Sequence, residues 1–575
     1  MIKRLASYMK PYRKYTILAI FCVAVETMFE LIIPLIMADI IDVGVATGNK
    51  PYIFGKGALM VLCALISLLL GIGSARFAAL CGQGLGAELR KAEYRKLQSF
   101  SFANTDHFRT SSLITRLTGD VTAIQNSVST GLRPAFRAPV MMITSIVMAF
   151  FINADLAVVF LIAAPLLGVL LFLIVRKVRP MYGKMQRAVD LVNRIIQENL
   201  TAIRVVKAYV RGDHEIAKFT EGNDTLRSTS ERAFRLAALN MPAMQLIMYA
   251  TILCILWFGG RLTQVGGMEV GALTGFLSYV LQVLNSLMMI SNVFLMLTRA
   301  LASGQRILEV MDEEVTLTDE AARDIAVERG EITFDHVSFK YEAGAAENVL
   351  SDISFHIAAG QTVGIIGPTG SAKTTLVQLI PRLYDATGGT VYIDGRPVKE
   401  YPLRHLRDAI AMVLQKNTLF SGTVRDNLRW GREDATDEEI EEACRVACVD
   451  EFLGRLEKGL DTDMGQGGVN VSGGQKQRLC IARAILKRPR VLILDDSTSA
   501  VDTATEAKIR EGLASSLPGT TKIIIAQRIS SVAHADQIII LDDGRISAVG
   551  THEELLASNA IYQDIYHSQQ EGAGL

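Results

Sequence analysis

The N-terminal half of this chain carries apolar runs longer than the core elements of a soluble domain normally need. They fall near 17–42, 55–80, 138–153, 156–176, 241–260 and 271–298. A helix crosses the hydrocarbon of a bilayer with about 20 such residues, so each run predicts a membrane span. The third and fourth are separated only by the polar turn Asn153-Ala154-Asp155. Half of the 575 residues are apolar although 21% are charged. That balance fits a membrane part joined to a soluble part.

Charge placement predicts an orientation. Lys3, Arg4, Lys10, Arg13 and Lys14 precede the first run, and Arg176, Lys177 and Arg179 follow the fourth. The turn at 153–155 has no Lys or Arg, so the positive-inside rule puts both termini on the cytoplasmic side, in agreement with six spans. The 59 basic and 59 acidic residues cancel, which argues against nucleic acid as the main partner. Seven cysteines are scattered without metal-like clustering and imply no disulfide framework. A long apolar run follows the N-terminus directly and no small-residue cleavage site is present, so no cleavable signal is expected.

The segments 82–137 and 177–240 are polar yet keep helical apolar spacing, as in Ile195, Ile196, Leu200, Ile203 and Val206. They are expected to continue the spans into the cytoplasm and turn back near 104–112 and 212–217. Amphipathic helices lying on the membrane surface are the other reading. The expected domains are a membrane domain over 1–305, an acidic linker over 306–330 and a soluble domain over 331–575. In the last, β-rich runs at 332–334, 362–366, 491–494, 522–525 and 537–541 alternate with helix-like segments. Such alternation predicts an α/β domain with a largely parallel sheet.

The run at 362–366 leads into Gly367-Pro368-Thr369-Gly370-Ser371-Ala372-Lys373-Thr374, then Thr375 and an apolar helix. This is the strand–loop–helix context of a phosphate loop. Backbone N–H groups there face phosphates, and the helix N-terminus favours negative charge. Lys373 is expected on the β- and γ-phosphates and the Thr374 hydroxyl on Mg²⁺. Further on, Val471-Ser472-Gly473-Gly474-Gln475-Lys476-Gln477-Arg478 precedes the acid-ended run Val491-Leu492-Ile493-Leu494-Asp495-Asp496. Asp495 is expected to hold the same Mg²⁺ through water.

Phosphate loop, VSGGQ and acid-ended strand together resemble the ATPase cassette of ABC transporters, and the whole chain resembles an ABC exporter half-transporter. The resemblance implies an α-helical membrane domain of six long transmembrane helices, an α/β P-loop nucleotide-binding domain, ATP and Mg²⁺. It also implies a second cassette chain as partner, because Ser472, Gly473, Gly474 and Gln475 act on ATP held by the opposite cassette. Tyr341 resembles the aromatic that stacks on adenine, with a structural strand tyrosine as the alternative. Gln415 resembles the glutamine that contacts Mg²⁺ and relays to the membrane helices. Ser499 and Asp502, in Ser499-Ala500-Val501-Asp502, resemble the loop that meets the other cassette. Residues 462–468 stand in the place of the cross-linking loop, with Gln466 where Glu is common.

Three positions depart from the family pattern. Ala372 stands where glycine is usual, and a Cβ adds strain if that position needs φ > 0. Asp496 replaces the glutamate that polarises the attacking water. General-base chemistry depends on hydrogen-bond reach, so retraction by roughly an ångström could cost about a hundredfold. Gln527, in Ala526-Gln527-Arg528, replaces the switch histidine; it can hydrogen-bond a γ-phosphate but cannot become an imidazolium. With an intact signature, this pattern matches the degenerate-site subunit of heterodimeric bacterial exporters, in which the chain's own site hydrolyses ATP slowly. The expected function is ATP-driven outward movement of small amphipathic compounds (drug-, lipid- or peptide-like) across the lipid bilayer of a bacterial inner membrane. A homodimeric exporter with slow hydrolysis and an ATP-gated regulatory or channel-like subunit are the alternatives.

Within the first run, Glu26 and Glu30 are four apart and share a helix face. Ionisable groups inside spans are costly and face a protein or water-filled interior. An acidic patch lining the translocation cavity is one expectation; pairing with arginines or hydroxyls of neighbouring helices is the other. Asp39 and Asp42 are expected near the outer end without a special role.

Overall fold

The computed structural model describes residues 2–342, 344–497 and 501–572. They fall into two compact units, Met1–Gln98 with Ser111–Asp312, and Ser99–Thr110 with Glu313–Leu575.

The first unit is helical: α1 (Arg13–Asp39), α2 (Lys50–Gln98), α3 (Val121–Ser129), α4 (Leu132–Ile152), α5 (Ala154–Thr201), α6 (Gly212–Ala238), α7 (Asn240–Gln264) and α8 (Val270–Asp312). Among the described residues, five helical stretches are long and apolar enough to cross a membrane. The fourth expected span lies on α5, an unbroken helix of 48 residues. α2, with 49 residues, is about 73 Å long at ~1.5 Å per residue, far more than the ~30 Å of hydrocarbon.

The turn between α4 and α5 follows the sequence reading, with the Asn153 side chain accepting from Leu156 N at 3.0 Å. The second expected turn-back is displaced. α5 ends at Thr201, a short helix Ile203–Ala208 follows, and Val210 takes a φ of 53°. Residues 212–217 instead open α6, whose first turn carries Asp213 and Glu215. Acids favour a helix N-terminus, so this polar stretch starts a helix. At the other end, residues 306–312, read from sequence as linker, complete α8.

Close backbone approach shapes this unit. A Cβ on Gly82 would sit 2.0 Å from Ser129 Oγ and 2.7 Å from Ser129 N, and one on Gly86 2.3 Å from Gln125 Oε1; α2 and α3 therefore pack backbone to backbone. The buried Tyr279 hydroxyl donates to Leu31 O at 2.6 Å, joining α8 to α1. Asp42 is structural after all. Its carboxylate accepts from Gly271 N at 2.5 Å and Ala272 N at 2.9 Å, satisfying N–H groups at the start of α8. Asp39 pairs with Lys56 at 2.5 Å.

The second unit contains β1 (Ile332–Phe339), β2 (Leu350–Ile357), β3 (Thr362–Ile366), β4 (Gly388–Ile393), β5 (Arg396–Pro397), β6 (Ile410–Val413), β7 (Val491–Asp495), β8 (Thr521–Ile525), β9 (Gln537–Asp542) and β10 (Arg545–Gly550). One sheet, order β2-β1-β4-β5, is antiparallel; the other has order β10-β9-β3-β8-β7-β6. In the second sheet β3, β6, β7, β8 and β9 are parallel and only the edge strand β10 runs the other way. β7 is buried at every position, as expected of a parallel strand covered on both faces. Because β3, β6, β7 and β8 are parallel neighbours, the loops that follow them leave the same sheet edge. Ligands of open α/β sheets bind outside these carboxyl ends.

Candidate functional site

Gly367 leaves β3 under the carbonyl of Leu541, where an added Cβ would come within 1.9 Å of the oxygen. Gly370 has φ of 88°. Ala372 takes φ 68° and ψ 24° at the entrance to α9 (Lys373–Gln378). The position does need the left-handed region, which costs an alanine roughly 1–2 kcal/mol. Lys373 Nζ donates to Gly367 O at 2.8 Å, Pro368 O at 2.7 Å and Ser371 Oγ at 3.2 Å. Burial lowers its pKa, against the opposing pull of Asp496 and Asp495. Thr369 lies on the same loop.

The strand-end acids are adjacent but differently placed. Asp495 is 1% exposed; its Oδ1 accepts from Thr374 Oγ1 at 3.0 Å, and Oδ2 is buried with no hydrogen-bond partner. Burial pushes its pKa up, with the Thr374 hydrogen bond opposing. An orphaned carboxylate oxygen beside a threonine hydroxyl fits a hard, oxygen-seeking cation such as Mg²⁺. Asp496, by contrast, sits at φ 48°. Its Oδ2 accepts from Gln527 Nε2 at 2.8 Å and from Gln415 Nε2 at 3.4 Å. So Thr374, Gln415, Asp495, Asp496 and Gln527, from the four chain segments at the carboxyl ends of β3, β6, β7 and β8, converge at one sheet edge.

Two glutamines that carry no motif of their own complete this cluster. Gln477, 1% exposed, donates to the main-chain oxygen of Asp496 at 3.3 Å. Gln569 donates to Gln527 O at 2.7 Å and accepts from Ile529 N at 2.9 Å, fixing the start of the short helix Ile529–Val532. Gln477 falls one turn into the signature helix, which hints at an inward position. Gln569 lies on the C-terminal helix, and no local pattern marks it.

The signature begins α10 (Gly473–Leu486). Ser472 Oγ accepts from Gln475 N at 3.4 Å and Gln475 Oε1 from Ser472 N at 2.9 Å, a reciprocal cap. Ser472 and Gly473 are exposed. Among the described residues no hydrogen bond joins Ser472, Gly473, Gly474 or Gln475 to the phosphate loop. Lys476 Nζ donates to Gly467 O at 2.8 Å, tying α10 to the loop that carries Gln466. Asp502 caps α11 (Thr503–Ser516), accepting from Thr505 N at 3.0 Å, and that bond holds its carboxyl below the usual range. Ser499 lies outside the described residues. Tyr341 is 47% exposed, and its hydroxyl meets Thr375 Oγ1 at 2.8 Å.

Of the two expectations for Glu26 and Glu30, the structure has the pairing with arginines. Glu26 Oε1 accepts from Arg133 at 2.6 Å and Arg137 at 3.1 Å; Glu30 accepts from Arg137 at 2.8 and 2.6 Å. Two carboxylates against two guanidiniums leave no net charge. Buried charges persist when paired, and the partners, on α4, lie too far along the chain for helix spacing to reveal.

Membrane-length apolar helices and a phosphate-loop α/β unit in one chain define a multi-pass, nucleotide-binding membrane protein. Residues 16–287 match the family described as ABC transporter transmembrane region, and residues 350–499 the family described as ABC transporter. The chain is 39% identical over 574 residues to the uncharacterized ABC transporter ATP-binding protein YfiB of Bacillus subtilis (strain 168), covering 99% of this chain and 98% of that protein. It is 33% identical over 579 residues to the probable multidrug resistance ABC transporter ATP-binding/permease protein YheI of the same organism, covering 99% and 97%. A structure of a bacterial Atm1-family ABC exporter with ATP bound superposes with TM-score 0.84 at 25% identity, over 97% of this chain and 99% of that one. The chain belongs to the ABC transporter family, as an exporter half-transporter with one transmembrane and one ATPase domain. Proteins of this kind work as dimers and couple ATP hydrolysis to transport.

Proposed function

We propose that this chain is one half of a heterodimeric exporter, holding the degenerate member of two composite ATP sites and lending its signature to the active one. The observation that carries this reading is the clasp on Asp496. Its Oδ2 faces the Gln527 amide at 2.8 Å. A glutamate above an imidazole would have longer reach and a titratable neighbour; here the acid is short and its neighbour is a fixed amide donor. The strained Ala372 adds to the same picture.

In this reading Gly367, Pro368, Thr369, Gly370, Ser371, Ala372, Lys373, Thr374 and Thr375 hold the triphosphate, and Tyr341 stacks on the base. Thr374, Gln415 and Asp495 would hold Mg²⁺, which would supply positive charge to offset that of the phosphates. Ser472, Gly473, Gly474 and Gln475 face ATP on the partner's phosphate loop, where hydrolysis resets the transporter. Asp502 and Ser499 meet the opposite cassette. ATP on this chain's own loop acts as a long-lived clamp. Segment Ser99–Thr110 and the turn after α5 carry closure of the cassettes to the spans.

The cargo is small and amphipathic, in keeping with the multidrug description of YheI, and the neutral Glu26–Arg133–Arg137–Glu30 cluster gives no charge preference for cations. The chain sits in a bacterial plasma membrane with both termini cytoplasmic, by the distribution of Lys and Arg. Isolation from its native membrane through a tag on this chain tests the pairing. A second, different cassette chain at equal amount is the expected result; recovery of this chain alone as a homodimer overturns it.

A further inference from the structure

The aromatic group around Tyr341 does not stop at the nucleotide site. Phe339, Tyr341 and Tyr384 form a closed triangle, with ring centroids 4.9 Å apart for Phe339–Tyr341, 5.5 Å for Phe339–Tyr384 and 5.2 Å for Tyr341–Tyr384. The Tyr341 and Tyr384 ring planes stand at 86°. Tyr341 keeps one face exposed, while its edge and those of Phe339 and Tyr384 are in contact, so a shift of one ring presses on the other two.

Tyr384 in turn faces the segment Ser99–Thr110, which belongs to the same compact unit. Its hydroxyl donates to Asp106 Oδ2 at 2.6 Å, and its ring meets Phe102 at 5.9 Å and 82°. A phenol–carboxylate bond of this length is charge-assisted and about twice as strong as a neutral one. Burial, then the hydrogen bond to Asp106, push the Tyr384 pKa up, so the phenol stays a donor. The loop beneath Tyr384 is rigid: the buried Arg382 grips Asp385 at 2.8 and 3.2 Å, and Arg407 donates to Arg382 O at 2.8 Å.

The short helix Phe102–His107 has its own anchor. Asn104 donates to Glu314 O at 2.7 Å and to Glu313 Oε1 at 3.1 Å, and the Ser101 and Thr316 hydroxyls meet at 2.6 Å. Those bonds hold one end of the helix to the chain that enters the ATPase domain. Among the described residues, Tyr384 ties it to the nucleotide side through Asp106 and Phe102.

We propose that Tyr384 is a positioning residue that reads the base platform Tyr341, so that the segment Ser99–Thr110 responds to the base of a bound nucleotide and not to its phosphates alone. The inference rests on the nucleotide site proposed above. A base stacked on the exposed face of Tyr341 restricts that ring; through the triangle it fixes Tyr384, and the phenol then holds Asp106. Triphosphate without a base fills the phosphate loop and leaves the platform uncovered.

Hydrogen–deuterium exchange of the full transporter in lipid nanodiscs tests this with two probes, Mg-ATP and magnesium tripolyphosphate, each at saturation. Mg-ATP is expected to slow exchange in 367–375 and in 102–107, and tripolyphosphate in 367–375 only. With Tyr384→Phe, Mg-ATP still protects 367–375, while its protection of 102–107 falls by about tenfold, the equivalent of one charge-assisted hydrogen bond. Asp106→Asn keeps a side-chain carbonyl acceptor but loses the charge assistance, so about half the bond's strength goes and the protection falls by about threefold. Equal protection of 102–107 by both probes, or unchanged protection in Tyr384→Phe, overturns the inference and leaves the nucleotide site standing. Absence of any Mg-ATP protection at 367–375 overturns the nucleotide site itself, and the inference with it.

Discussion

Asp496 and Gln527 form one device, since the amide donates to the carboxylate oxygen that would have to engage water. Contacting residues do not contribute additively. Asp496→Glu alone lengthens the acid against an unchanged amide, and Gln527→His alone leaves the acid short. With the partner's equivalent acid disabled, each single change is expected to leave single-turnover hydrolysis within about threefold of the starting rate, and the two together to raise it by at least about thirtyfold. Two large and additive single effects would show the groups act separately. The pH dependence follows from two shifted groups. Burial lowers the pKa of Lys373, so its charge is lost below the ~10.4 of an ordinary lysine and nucleotide affinity falls on the alkaline side as pH rises through that lowered value. Burial raises the pKa of Asp495, so it takes up a proton above the ~3.9 of an ordinary aspartate and Mg²⁺-dependent affinity falls as pH drops through that raised value. Titrations with a fluorescent ATP analogue should show the acid limb only when Mg²⁺ is present and the alkaline limb in both conditions.

At the level of elements, the α2–α3 contact is the tightest test of the membrane unit. A side chain at Gly82 meets the backbone of α3 at Ser129 N and Gln125 O, and backbone cannot swing aside. Gly82→Val is expected to destabilise by about 1–3 kcal/mol, read as a lowered melting temperature in detergent; Gly57→Val, where an added Cβ meets nothing within 4 Å, should change it little. The same contrast explains what could be read from sequence. β3, β7 and β8 announce themselves because strands covered on both faces are continuous apolar runs. β2 and β4 do not, because Asp352, Ser354 and His356 interrupt the one and glycines open the other. The phosphate loop, signature and strand-end acids are local patterns and therefore legible; the arginines on Glu26 and Glu30, and Gln569 behind Gln527, come from distant sequence and are not. The turn after α5 falls earlier than polarity suggests because Asp213 and Glu215, at a helix start, stabilise the helix they seem to break.

For the whole molecule, the contrast that matters is between an intact signature and a modified acid–switch pair on one chain. An exporter of two identical copies would place this pair in both of its sites. An exporter of two different chains places it in one and can leave the other fully active, facing Ser472, Gly473, Gly474 and Gln475. ATP turnover by the complex isolated through a tag on this chain, wild type against Asp496→Asn, separates the two. The account predicts that turnover stays within about threefold of wild type, because the rate is set at the site this acid does not serve. A loss of about a hundredfold or more would make Asp496 the working acid and contradict it.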